Sequence, residues 1–293
     1  MELPDLESLA CVDALARTLR FSIAARSRFL SAAAFGKRVQ QAEAQLGVVL
    51  FERTTRKVTL SEAGMALLPR LRELLGRAEA LAGAGAGGPV PVELTLGTRH
   101  ELGMSWLFPA RRALMQSMPH VTLHLRFGDT EELERALLTL RADAIVTSHA
   151  PSTARLEVLP LVREDYAFVA SPRLLARNPF ARPADAPQHV LVDLHDDLPL
   201  FSYLRATGLP LRFHRVLSLG TIEAARQAVR DGEGVAVLPR YYVEGDLDKG
   251  RLVRLLPRAK LAHDFFRLGF RADDARRPLF AAIAQVLASR PLR

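Results

Sequence analysis

The sequence predicts an α/β protein built in three parts. These are an α-rich winged helix-turn-helix domain over residues 1–64, a long linker helix with a Gly-rich hinge over 65–88, and a two-lobed α/β domain over 89–293. Three observations predict this plan. Positive charge is concentrated near the N-terminus: between Arg17 and Lys57 nine Lys or Arg stand against two acids, Glu43 and Glu52, a surplus of seven in a chain whose net charge is +8. Apolar residues recur at helical spacing as far as about position 82. From Pro89 onward, β-prone runs alternate with helical ones, the pattern of βαβ units.

Taken in order, Leu6, Leu9, Ala10, Val12, Leu15 and Ala16 give a first amphipathic helix that braces the next two. Ala24, Ala25, Phe29 and Leu30 supply the apolar face of a short second helix. Ser31 can cap a third by accepting a backbone N–H bond, and Ala34, Phe35 and Val39 continue that helix. A pair of helices with so tight a turn lays the N-terminal half of its second member in the DNA major groove, which turns Ala32, Ala33, Gly36 and Lys37 toward the bases. Leu46-Gly47 reads as a helix stop. In VVLFERTTRKVTLS, two short β-prone runs flank Arg53, Thr54, Thr55, Arg56 and Lys57, a basic hairpin that would serve as a wing. A basic run alone is usually a solvated face. Here it coincides with the turn and the spacing, and it suits a polyanion whose phosphates release counterions on contact.

These residues carry a resemblance. Phe21-Ser22 followed by Ala24-Ala25, then Ser31, Leu46-Gly47, Leu50-Phe51-Glu52-Arg53-Thr54 and Leu60-Ser61-Glu62-Ala63-Gly64 are similar to the LysR-type transcriptional regulators. Downstream, the likeness continues in Leu96-Gly97-Thr98, Leu107-Phe108-Pro109, Gly128-Asp129, Ala142-Asp143-Ala144-Ile145, Gly220-Thr221 and Gly232-Glu233-Gly234-Val235-Ala236-Val237-Leu238-Pro239, so it covers nearly the whole chain. It implies that Ser22 joins the DNA-facing set, that the long helix dimerises, and that the C-terminal part is an effector-binding domain similar to periplasmic binding proteins. The chain departs from the family where DNA is read. Family members usually carry Gln, Pro and then a small hydroxyl residue in the recognition helix, where this chain has Ala32, Ala33 and Gly36; a usual core Leu is Ala42. Ala and Gly offer only apolar or close-approach contacts, so direct base reading falls to Ser31, Lys37, Arg38 and their neighbours.

Composition bounds the alternatives. A chain of 293 residues, 49% hydrophobic and 25% charged, is long enough for two domains and ordinary for a soluble protein. No uninterrupted apolar run of about 18 residues occurs, and the start, MELPDLESLACVD, is acidic without an apolar stretch, so a cytoplasmic location and no membrane partner are expected. The pI near 10.3 agrees with a nucleic-acid partner. The 28 basic against 23 acidic residues after position 88 show that the remainder is mildly basic too. The single cysteine, Cys11, excludes an intrachain disulfide and a Cys-rich metal site, and is expected to be a buried core thiol. No metal, cofactor or catalytic residue is expected: the eight histidines show no paired ligand spacing, and neither a GxSxG elbow nor a Walker loop occurs. Gly83, Gly85 and Gly88 match a dinucleotide fingerprint in spacing, but they end a helix and precede a strand, which makes them a linker.

In the long helix, apolar residues at 67, 68, 71, 74, 75, 78, 81 and 82 form a stripe, Ser61 caps its start, and Pro69 should bend it. Such a stripe expects the same helix of a second copy, giving a homodimer or homotetramer. Beyond it, strands are expected at 92–97, 121–127, 142–147, 166–171, 189–194, 215–220, 234–239 and 265–271, and helices at 107–118, 131–140, 173–177, 199–206, 221–232 and 278–290. The pattern restarts near 166, so lobe I is read as 89–162 with 267–293 and lobe II as 163–266, with crossings near 161–165 and 263–267. Open α/β sheets bind ligands beyond the carboxyl ends of their strands. That rule selects Thr98, Arg99, His100, Glu101, Asp129, Thr147, Ser148, Asp193 and Thr221 for a small-molecule effector in a cleft between the lobes. Asp129 and Thr221 also fit plain helix caps, and Asp143 a structural turn. The function expected is that of a DNA-binding transcriptional regulator, not an enzyme, with double-stranded DNA and an effector as partners and RNA polymerase as a further candidate. The alternative is a small-molecule-binding protein or α/β enzyme with an accessory DNA-binding domain, which turnover of a metabolite would reveal.

Overall fold

The computed structural model describes residues 3–54, 57–84, 91–151, 153–194 and 200–292. Arg56 of the expected wing and the hinge residues 85–88 lie outside them. Contacts divide the chain into two compact units, Met1–His100 with Ala110–Leu159 and Leu268–Leu287, and Glu101–Pro109 with Pro160–Arg267 and Ala288–Arg293.

The first unit begins with α1 (Leu6–Thr18), α2 (Phe21–Ser27) and α3 (Ala32–Leu46). Asp5 caps α1 by accepting the Ser8 N–H at 2.7 Å, and Ser31 caps α3 by accepting that of Ala34 at 3.2 Å. Cys11, Val12, Leu15, Ala24, Phe35, Val39 and Ala42 are buried together as the core of this triplet. The chain leaves α3 through Gly47 at φ +70°, where Val48 donates to the Glu43 carbonyl, a helix stop that a Cβ would strain. β1 (Phe51–Arg53) and β2 (Val58–Leu60) then pair antiparallel as the hairpin. Phe29 departs from expectation: it is almost wholly exposed, with φ +55°. α2 ends at Ser27, and Leu30 donates back to the Ala25 carbonyl, so Phe29 occupies the left-handed position of the turn and its side chain swings outward.

One helix, α4 (Glu62–Ala84), follows, capped by Ser61 and passing through Pro69 without ending. A Cβ on Gly64 would run into the Leu50 carbonyl, so this glycine lets the helix meet the hairpin. Leu68 and Leu71 belong to the N-terminal core, so that part of the stripe packs within its own chain and not on a second copy; Leu74 and Leu81 remain exposed.

After α4 come β3 (Val92–Thr98), α5 (His100–Leu102), a π-helical turn at Gly103–Leu107, α6 (Phe108–Ser117), β4 (Val121–Phe127), α7 (Thr130–Leu138), β5 (Ala144–Thr147) and β6 (Leu156–Glu164). The chain continues through β7 (Tyr166–Ala170), α8 (Pro172–Arg177), β8 (Val190–Asp193), α9 (Ser202–Arg205), β9 (Arg215–Ser218), α10 (Ile222–Arg230), β10 (Ala236–Pro239), α11 (Arg240–Asp248), β11 (Val253–Arg254), β12 (Asp264–Arg271) and α12 (Arg277–Ala288). A five-stranded sheet runs in the order β4-β3-β5-β12-β6, with β3 parallel to both β4 and β5. In the second unit β8 and β9 are parallel, but β10 and β11 flank β7 antiparallel, so that lobe does not repeat a purely parallel module. β6 and α11 both lie outside the expected strands and helices. Glu101–Pro109 and Ala288–Arg293 fall in the second unit because Trp106 of the π-helical turn lies 6.0 Å from the Phe266 ring and donates its indole N–H to the Arg290 carbonyl at 3.2 Å. No helix among the described residues is long and apolar enough to cross a membrane.

Candidate functional site

Two regions gather the candidate side chains. In the N-terminal domain, the start of α3 presents Ser31, Ala32 and Ala33 to solvent, with Lys37 exposed one turn later. Gly36 lies on the same side, and a Cβ added there would meet nothing within 4 Å, so the first two turns of α3 form a smooth, unobstructed face. Ser22 on α2 is exposed as well. Arg38 is drawn away by ion pairs to Glu7 at 2.9 Å and Asp5 at 3.6 Å. In the hairpin, the Thr54 N–H donates to the Lys57 carbonyl at 2.9 Å and the Thr54 hydroxyl accepts the Lys57 N–H at 3.0 Å, closing the tip of which Lys57 is exposed.

Glu43 holds this hairpin against α3. One of its carboxylate oxygens accepts the N–H groups of Leu50 at 2.8 Å and Phe51 at 3.0 Å, and the other meets Arg53 at 2.6 Å. The Arg53 guanidinium also lies over the Phe21 ring, 5.1 Å from its centre. Lys37 and Lys57 therefore make no ion pair among the described residues, whereas Arg38 and Arg53 are already engaged within the fold.

The second region is the carboxyl edge of β3, β4 and β5. The parallel register sets Thr98 opposite Phe127 on one side and Val146 on the other, which brings Thr98, Thr147 and Ser148 to one edge of the sheet. All three are buried. The Thr147 hydroxyl accepts the His149 N–H at 3.1 Å, but the Thr98 hydroxyl is fully buried without a hydrogen-bond partner among the described residues. Arg99, half-buried, makes no ion pair among them either, and no pairing with Glu101 occurs there. His100 packs against the Phe127 ring at 5.4 Å. Asp129 caps α7 in a reciprocal capping box with Glu132, as its plainer reading expected. In the second unit, Asp193 accepts the N–H groups of Leu194, Leu200 and Phe201 at 2.9, 2.9 and 3.2 Å, and Thr221 caps α10 by accepting the Ala224 N–H at 3.1 Å, so both serve the backbone.

Residues 6–65 match the model of the bacterial regulatory helix-turn-helix proteins of the lysR family, and residues 88–291 match the LysR substrate binding domain. The chain belongs to the LysR family of transcriptional regulators.

As a LysR-type regulator, it is 27% identical over 263 residues to the glycine cleavage system transcriptional activator homolog of Haemophilus influenzae, covering 87% of this chain and 84% of that one. A full-length OxyR variant from Pseudomonas aeruginosa shares its fold with a TM-score of 0.70, at 20% identity over 100% of this chain and 97% of the other. LysG from Corynebacterium glutamicum with its bound effector Arg matches with a TM-score of 0.63, at 21% identity over 97% of each chain. In this regulator, the exposed start of α3 and the strand ends were legible in the sequence, but two features were not. Glu43, counted only as an acid in a basic block, is the tie between α3 and the hairpin; its partners lie seven to ten residues away, beyond helical spacing. The π-helical turn, in which the Ser105 hydroxyl is buried without a hydrogen bond among the described residues, leaves no local signal in the sequence.

Proposed function

We propose that this LysR-type regulator reads double-stranded DNA with the amino end of α3 and the 53–57 hairpin, and is switched by a small metabolite held at the carboxyl edge of β3 and β5. For DNA, Ser31 and Lys37 reach base edges, Ala32, Ala33 and Gly36 permit close approach to the groove and apolar contact with thymine methyls, and Ser22, Arg53, Thr54, Arg56 and Lys57 meet phosphates. Arg38 joins them only by leaving Glu7. The domains act as 1–64 for DNA, 65–88 for assembly and hinge, and 89–293 for the effector. The exposed Leu74 and Leu81 of α4 support assembly as a homo-oligomer. The regulator works in the cytoplasm, where its DNA lies, and an assembled regulator of this kind also meets RNA polymerase.

The buried, unpartnered hydroxyl of Thr98 carries the effector reading, because a buried polar group without a partner costs stability unless something completes it. Thr147 and Ser148 add hydroxyls on the same edge, and the Arg99 guanidinium favours a ligand with a carboxylate or comparable anionic group. His100 and Asp129 flank this edge, and Glu101 follows in sequence; Asp193 and Thr221 belong to the second unit and are engaged with its backbone. A thermal-shift screen of pooled metabolites, followed by mass spectrometry of what remains bound, tests the reading. The ligand should raise the melting temperature without being consumed, Thr98→Val and Arg99→Ala should remove the shift, and the DNA affinity of the ligand-free variants should stay near that of the native chain. Consumption of the ligand would favour an enzyme, and an undiminished shift in both variants would place the site elsewhere.

A further inference from the structure

Within the first unit, the DNA-binding domain is fastened to the effector-domain sheet by a buried charge network centred on Asp143, whose side chain is 1% exposed. Three guanidinium groups converge on it from three elements: Arg276 just before α12 at 2.8 Å, Arg17 of α1 at 3.5 Å and Arg72 of α4 at 3.9 Å. The network continues outward on both sides. Asp13 of α1 meets Arg72 at 2.5 Å and Arg17 at 2.8 Å, while Asp274 meets Arg271 at 2.7 Å and Arg276 at 2.8 Å. Next to it, Leu140 adopts φ +61° and turns its side chain into the N-terminal core, while its carbonyl accepts a hydrogen bond from Arg72 at 3.0 Å.

Burying so many charges is a poor route to stability, since desolvation offsets most of the attraction, but it fixes one arrangement of the elements that contribute them. Asp143 does more than join them. Its carboxylate also accepts the N–H of Thr95 at 2.7 Å, in the middle of β3, and it immediately precedes β5. β5 is a four-residue, wholly buried strand paired in parallel with β3, and it ends at Thr147. The joint thus meets β5 at its start and β3 at its middle, and the effector edge is where both strands end, roughly 13 Å away along β5 at the usual rise per residue. A close-packed strand does not stretch, so a displacement at one end is passed to the other.

We propose that Asp143 is the mechanical joint between the two functions of the chain: β3 and β5 carry the state of the effector edge to Asp143, and Arg17 and Arg72 carry it from there to α1 and α4. The location of the effector rests on the reading above, but coupling between the strands and the DNA-binding domain is measurable without any effector, because coupling between two sites acts equally in both directions. The test is amide hydrogen exchange of the full chain, free and bound to a duplex that it has selected from a random pool. In the native protein, DNA binding should change exchange in residues 92–98 and 144–147 at least threefold. In Asp143→Asn and in Arg72→Gln that change should vanish while the duplex is still bound. Among the described residues Arg72 makes its hydrogen bonds and ion pairs to Asp13, Leu140 and Asp143 and to neither strand, so loss of the response in that variant is not a local strand defect, and it carries the test if Asp143→Asn fails to fold. An undiminished response in Arg72→Gln, or no response in the native protein, would overturn the proposal. Failure to find any metabolite that binds would count against the effector site alone and leave this outcome unaffected.

Discussion

At Arg53 one guanidinium both pairs with Glu43 and covers Phe21, so its replacement has two separable effects. The ion pair is partly exposed and contributes about 0.2–1 kcal/mol, so Arg53→Ala should fold normally with a slightly lower melting temperature. On DNA it should weaken binding about equally on all sequences and reduce the salt slope by about one, as loss of a phosphate contact does, whereas Lys37→Ala should relax sequence preference. Salt titrations on a selected and a scrambled duplex separate the two, and an Arg53→Ala, Arg56→Ala double variant that binds like the native chain would remove the hairpin from the interface. Asp143 invites a pH test. Burial alone would raise its pKa, but Arg276, Arg17 and Arg72 together with the Thr95 N–H outweigh this and hold its carboxyl far below the usual range; Asp13 and Asp274 are also held low, against burial, by their arginines. Carboxyl groups depressed in the folded state stabilise it fully above their unfolded value of about 4, and that stabilisation is lost as the pH falls through the folded values. Asp143→Asn should therefore be less stable than the native chain at pH 7, by on the order of 3 kcal/mol, and the gap should narrow below pH 4 in denaturant melts. A gap independent of pH would contradict the ionic account. Cys11 is fully buried and its thiol pKa is raised by that burial, so it should resist thiol reagents until the chain unfolds.

Among the elements, α4 divides its stripe between two tasks. Leu68 and Leu71 are sealed in the chain's own core, and Leu74 and Leu81, seven residues apart on one helix face, stay exposed, where the proposed assembly sets a second copy. Replacing both by Asp should shift sedimentation toward the monomer with little change in the melting of the N-terminal core, while Leu71→Asp should unfold that core instead. A native oligomer in the Leu74/Leu81 variant would move the assembly surface elsewhere. The sequence made α1, α3, the Ser31 cap, the Gly47 stop and the hairpin legible because each rests on signals a few residues apart. It misled at Phe29, where apolar character argued for burial but the left-handed turn position, usually taken by Gly or Asn, turns the ring outward. The carboxyl-edge set was legible as strand ends, yet the sequence could not tell that Thr98 lacks a partner while Asp193 holds three backbone N–H groups. Nor could it join Asp143 to Arg17, Arg72 and Arg276, which meet only once the chain has folded.

In the whole molecule, a surplus of seven positive charges between Arg17 and Lys57 sits in one domain, and a buried network fastens that domain to the sheet whose far edge carries the Thr98 hydroxyl, unpartnered among the described residues. In the proposed reading the long-range charge serves DNA and the hydroxyls of the sheet edge serve a metabolite, so the two equilibria answer to different variables, salt for the first and ligand concentration for the second. The most direct measurement is the affinity of the full native chain for its selected duplex, and for a scrambled one, from about 50 to 200 mM salt. Six or more phosphate contacts shared by two copies should lower affinity about a thousandfold or more over that range, with the selected duplex bound at least about a thousandfold more tightly than the scrambled one throughout. Binding that is flat with salt, or equal for the two duplexes, would contradict the assignment of α3 and the hairpin as the DNA-reading surface.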